Sequence, residues 1–226
     1  MVKRIKNIDY MMLLSVLLII SILFNVYAFF KLSNYKYKIG EQSYTNIEDF
    51  KQRNESNMNI LSKGLEEKNI KNEDLLKLYK NYDAMCNDII ELWQQYGSYS
   101  QNAIPLLSKK IKTNKVMENE IHGKIKEYVL SKLNKQMIND KSKLELDNDE
   151  LQSFESMYEI STRLNEYFNK FNEETLKGIT GEDKEKIVIN KYYWIDMLEG
   201  IYDISDDYVN LQWKTEAIDT SLKQNK

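Results

Sequence analysis

Proline occurs once and glycine seven times in 226 residues, both well below ordinary usage. That scarcity argues against folds built on many tight turns or glycine-rich loops, such as β-sandwiches and doubly wound nucleotide binders. A single cysteine, Cys86, permits no internal disulfide and no cysteine-based zinc site within one chain. A single histidine, His122, excludes paired-histidine metal motifs and leaves one side chain that ordinarily titrates near neutrality. The patterns G-x-S-x-G, G-x-x-x-x-G-K-[ST], G-x-G-x-x-G and H-E-x-x-H are all missing. Hydrolase, P-loop, dinucleotide and zincin chemistry therefore have no signature here. Charge is plentiful but nearly balanced, with 32 basic and 35 acidic residues for a net of −3. The length fits one ordinary domain with room for a buried core. No internal repeat or low-complexity tract is visible.

What is present begins with an uncharged run. From Tyr10 to Phe30 the chain reads YMMLLSVLLIISILFNVYAFF, with Ser15, Ser21 and Asn25 its only strongly polar residues. Twenty-one helical residues rise roughly 31 Å, close to the hydrocarbon thickness of a bilayer. Tyr10 and Tyr27 lie near the ends, where amphipathic rings favour the interface. The run is read as one transmembrane anchor in contact with membrane lipid. A cleavable signal peptide is the competing reading. Lys3, Arg4 and Lys6 make a basic leader, and Val26-Tyr27-Ala28 suits cleavage after Ala28. Phe29 and Phe30 extend the apolar run past that point, which favours the uncleaved anchor. Positive charge is nearly equal on both flanks. A nine-residue tail before the span normally stays in the cytoplasm, so the bulk of the chain is expected outside.

The remainder reads as helix. Ile47, Phe50, Met58, Leu61 and Leu65 form one apolar stripe, interrupted by Asn54. Leu75, Tyr79, Tyr82, Cys86, Ile89, Trp93 and Tyr96 alternate steps of four and three, with Asn72 as a cap and Gly97 as a stop. Residues 97–105, ending at Pro105, read as a loop leading into a short helix. Met117, Ile121, Ile125, Val129, Leu133 and Met137 give a third ridge, ended by residues 140–148. Asp147 can cap the next helix, whose seam is Leu151, Phe154, Tyr158, Ser161, Leu164, Phe168 and Phe171. A last pattern restarts at Thr180 or Gly181 and runs through Ile187, Trp194, Met197, Ile201, Ile204, Tyr208 and Leu211. Strand-like alternation is confined to 143–147 and 186–190. The expectation is an all-α protein: one N-terminal transmembrane helix, then an antiparallel bundle of four to five helices. The divisions are a cytoplasmic tail at 1–9, the anchor at 10–30 and a linker at 31–44. The bundle follows at 45–213, and a flexible polar tail at 214–226. Seams this regular also suit intermolecular coiled coils, but the intervening breakers favour folding back.

Charge patterning supplies the candidate surfaces. Asp196, Glu199, Asp203, Asp206 and Asp207 fall along one helical row, suited to a cation or basic partner, although the spacing of a calcium loop is missing. The bland alternative is a solvated face opposite the Trp194 seam. Residues 109–143 hold ten lysines against four acidic residues, net +6, while residues 147–226 are net −9. Within that basic stretch Lys124, Lys126, Lys132 and Lys135 could meet a polyanion such as anionic lipid or an envelope polymer. The favoured reading of the stretch is the bland one, a solvated face or a helix paired with the acidic C-terminal half. Arginine is missing there and Tyr128 is the only interleaved aromatic, so nucleic acid is not an expected partner. His122 beside Ile121 reads as an exposed or half-buried helical side chain, and Cys86 as a small buried hydrophobe. Asn54-Glu55-Ser56 matches a glycosylation sequon, which in an asparagine-rich chain arises by chance.

These features imply a single-pass, membrane-anchored, extracytoplasmic helical protein that binds a partner or scaffolds an assembly. No catalytic residue, cofactor or metal is expected, and the partner is another protein or an envelope polymer, with homo-oligomerisation left open. The first alternative is a ligand-sensing bundle working with a separate signalling subunit. The second is a cell-envelope enzyme using the acidic helix 194–208.

Overall fold

The computed structural model describes residues 2–102, 109–111 and 121–213, with side chains from Tyr10 onward. The described residues form six helices and two three-residue strands. In chain order they are α1 (Val2–Glu67), β1 (Asn69–Lys71), α2 (Asn72–Gln101), α3 (Ile121–Ile138), β2 (Lys143–Glu145), α4 (Asn148–Glu174), α5 (Gly181–Asn190) and α6 (Tyr193–Asp206). The expected loop at Pro105, the seam residue Met117 and the polar tail 214–226 lie outside the described residues.

The chain divides into two compact units, residues 1–39 and 40–226. The first unit is helical throughout its described length. It holds the apolar stretch of α1, the one described helix long and apolar enough to cross a membrane, and none of that apolar window is buried. Residues 31–44, expected as a linker, are helical as well. Nothing there breaks a helix except Gly40, and an isolated glycine costs a helix only about 1 kcal/mol relative to alanine.

In the second unit, a Cβ on Gly40 would lie 2.8 Å from Ile189 Cγ2, so the missing side chain lets α5 approach α1. α2 packs chiefly on α3, α4 on α6, and α6 also on α5 and α2. The core includes Phe50, Leu61, Leu78, Tyr82, Met85, Leu92, Ile125, Phe154, Met157, Leu164, Trp194 and Leu198, each at most 1 % exposed. The seams read from the sequence are only part of it. α2 buries a second stripe, Leu78, Met85, Leu92 and Tyr99, beside the expected one, and it continues past Gly97 to Gln101. Asn54, the interruption in the α1 stripe, is buried, and its Nδ2 donates to the Ser161 carbonyl of α4 at 2.8 Å.

The connections follow local chemistry. α3 ends where Asp140 adopts φ +51° and the Lys141 N–H reaches back to the Gln136 carbonyl at 2.9 Å, a left-handed helix stop. Residues 143–145 then pair antiparallel with 69–71, setting buried Ile70 opposite buried Leu144. The other strand-like stretch, 186–190, lies in α5. The last expected helix is two, α5 and α6, separated by Tyr192 at φ +55°.

Candidate functional site

The acidic row of α6 is built around a tyrosine from α4. Trp194, Ile195, Met197, Leu198 and Ile201 turn inward, which leaves Asp196, Glu199 and Asp206 half-buried and Asp203 exposed. Tyr167 of α4 reaches into this row, and its hydroxyl donates to the Asp196 carbonyl at 2.8 Å. Gly200 makes room for it, since a Cβ there would sit 2.1 Å from Tyr167 Cζ. Burial pushes the Tyr167 phenol well above its ordinary range, and the charges of Asp196, Asp203 and Glu199 push it further. The phenol therefore stays protonated and serves as a donor.

The row is also paired with base. The Asp196 carboxylate bonds Lys109 Nζ, and that ammonium lies 4.9 Å from the Tyr193 ring centroid. Asp207, one residue past α6, takes Arg163 Nη2 at 2.7 Å. Arg163 also donates to Tyr208 Oη at 3.0 Å, and that hydroxyl donates to Glu159 at 2.7 Å. Among the described residues no group of three or more His, Cys, Asp or Glu side chains could hold a metal ion.

The lysine set does not share one face. Lys124 Nζ donates to the Val209 carbonyl at 2.9 Å. Lys126 lies 3.5 Å from both Asp83 of α2 and Glu127. Lys132 is buried, with Nζ 2.8 Å from Glu150 of α4 and 5.1 Å from the Tyr128 ring centroid. Lys135, in the last turn of α3, is half-buried. Two of these contacts reach the acidic C-terminal half, at Glu150 and Val209. His122 is fully buried rather than exposed or half-buried, with its ring edge-on to Phe50 at 5.3 Å. α3 buries both His122 and its neighbour Ile121, so its inward face is wider than a single ridge. Cys86 is buried, as expected of a small hydrophobe.

Two features escaped the sequence reading. The first is a carboxylate group where α1 meets α2. Asp88 Oδ2 is buried and has no hydrogen-bond partner among the described residues. Burial and then the neighbouring Asp49 carboxylate push the Asp88 carboxyl up to about 7; Arg53 pulls it back, and Glu91 adds to the rise. A carboxyl whose folded pKa is raised binds its proton more tightly in the folded state. Stability is therefore expected to fall as pH rises from the ordinary carboxylate range through about 7. Asp88→Asn should remove this loss and raise the melting temperature at pH 8 more than at pH 5. Equal shifts at both pH values would remove Asp88 as the cause.

The second is a cavity of about 250 Å³ lined by Asp149, Gln152, Ser153 and Ser156 of α4 and by Leu211, Gln212 and Trp213. The four α4 residues follow helical spacing and so share a face. The Trp213 indole N–H is buried without a hydrogen-bond partner among the described residues. Sequence spacing could have revealed the polar face but not the C-terminal residues opposite it.

With this geometry in place, comparison with known proteins adds no family: no family model, curated protein or solved structure matches the chain.

Proposed function

We propose that the chain is a single-pass membrane protein presenting an antiparallel helical bundle outside the cytoplasm, and that it acts by binding a partner or organising an assembly. The observation that carries this reading is the run Tyr10–Phe30, an uncharged helical stretch with every side chain exposed. An apolar surface of that size needs a cover, and its length matches a bilayer. Short connections between α3 and α4 and between α4 and α5 support a bundle. The lone Cys86, buried on a packing seam, leaves the domain free of disulfide chemistry in an oxidising compartment. The charged side chains Asp196, Asp207 and Lys132 are engaged in ion pairs with residues distant in the sequence. That favours a binding or scaffolding role over catalysis. The α4 cavity at Trp213 favours a second reading, a ligand-sensing bundle that works with a separate signalling subunit.

The full-length protein should remain with membranes through carbonate and high-salt washes. Protease added on the non-cytoplasmic side should digest the domain. A soluble chain beginning at Phe29 would overturn the anchor in favour of a cleaved signal.

A further inference from the structure

Asn25 is the one carboxamide within the apolar run. Its Nδ2 donates to the Ser21 carbonyl at 2.8 Å, one turn back along α1. That contact uses one of four hydrogen-bonding positions on the side chain; the second N–H and Oδ1 have no partner among the described residues. Asn25 lies five positions before Phe30, which puts it roughly 7.5 Å inside the end of the run. The side chain is too short to reach the headgroups from there. In hydrocarbon, unmet polar groups favour a partner that meets them.

The surrounding spacing indicates which partner. Leu14, Leu18, Ser21, Asn25 and Ala28 follow steps of four, three, four and three, the repeat of a helix–helix seam. All five are exposed. Ser21 and Ala28 are small enough for close approach on either side of the carboxamide. Copies of one chain inserted with the same topology run parallel, so residue 25 of one meets residue 25 of the other at equal depth. A carboxamide both donates and accepts, so two of them satisfy each other.

We infer that the anchor pairs in parallel with a second copy of itself, the two Asn25 carboxamides bonding across the seam of Leu14, Leu18, Ser21, Asn25 and Ala28. This rests on the membrane-anchor reading above. The test is energy transfer between donor- and acceptor-tagged full-length chains in phosphatidylcholine vesicles, followed as lipid dilutes the protein. The wild type should show transfer that falls with dilution. Asn25→Leu should need roughly five- to tenfold higher protein density for the same transfer. Asn25→Gln, which keeps the amide, and Ser15→Ala, which removes a polar group off the seam, should follow the wild type. A wild type that stays monomeric at every density, or an Asn25→Leu curve that overlays it, would overturn the pairing while leaving the anchor intact. Failure of the chain to float with the vesicles would overturn both.

Discussion

Replacing Trp194 with alanine should cost the helical domain about 4 kcal/mol, because deleting a buried tryptophan removes its transfer energy and leaves a cavity. Trp194 is 0 % exposed and meets the Tyr99 ring edge-on at 5.8 Å. It sits on α6, which packs against α2, α4 and α5, so the loss falls where several elements join. For a domain of this size that corresponds to a drop of roughly 8–16 °C in melting temperature. Far-UV ellipticity of the full-length protein in detergent would record it. Trp194→Phe should be much milder. It keeps most of the apolar volume and removes an indole N–H that has no partner among the described residues. Phe154→Ala, also at 0 % exposure, belongs with the severe variant, whereas half-buried Trp93 should cost less when truncated. An unchanged melt for Trp194→Ala would remove this ring from the core.

The contrast between Trp93 and Trp194 shows what was legible in the sequence. Phe154, Leu164 and Phe168 were readable as a seam because one face of α4 is covered, and three-four spacing reports one covered face. Both helices bury more than that spacing reports, so Leu78, Met85 and Leu92 of α2, and Met157 and Ile160 of α4, fall off it and yet are buried. Residues 31–44 looked like a linker because they are polar, although polarity without a breaker leaves a helix free to continue. β1 is three residues long, too short for a period, and exists because the turn after α3 returns β2 beside it. At α6 the acidic spacing was plain. Its meaning depended on Lys109 and Arg163, which lie 87 and 44 residues away from the carboxylates they hold. The Asp88 group was hidden for the same reason, since Asp49 and Asp88 become neighbours only through tertiary packing.

Charge asymmetry between the basic stretch and the acidic C-terminal half narrows, in the structure, to one buried contact with a large expected effect. Lys132 has a side-chain exposure of 5 % and Glu150 one of 17 %, and they meet at 2.8 Å between α3 and α4. Removing one partner of a buried pair leaves the other charge uncompensated, which is worse than never having built the pair. Lys132→Ala is therefore expected to cost about 3 kcal/mol, at the low end for such pairs because Glu150 keeps some water. Lys132→Glu should cost more, since it sets two carboxylates against each other. Lys132→Met combined with Glu150→Leu should recover most of the loss, because apolar packing can replace a buried pair of similar volume. Lys126 behaves differently. Its 3.5 Å contact with Asp83 is partly exposed, so Lys126→Glu should cost no more than about 1 kcal/mol and the cost should shrink in salt. The Lys132 effect should persist in salt. Its pH dependence has a fixed sign. Burial alone would raise the Glu150 carboxyl, but the hydrogen bond and charge of the Lys132 ammonium outweigh it and hold the group below its ordinary range. A lowered folded-state pKa contributes stability above the ordinary carboxylate range, and that contribution is lost as pH falls through the folded value. The gap between wild type and Lys132→Ala should accordingly be full at neutral pH and close in acid. A Lys132→Ala melt that matches wild type at pH 7 would mean the ammonium reaches water without Glu150.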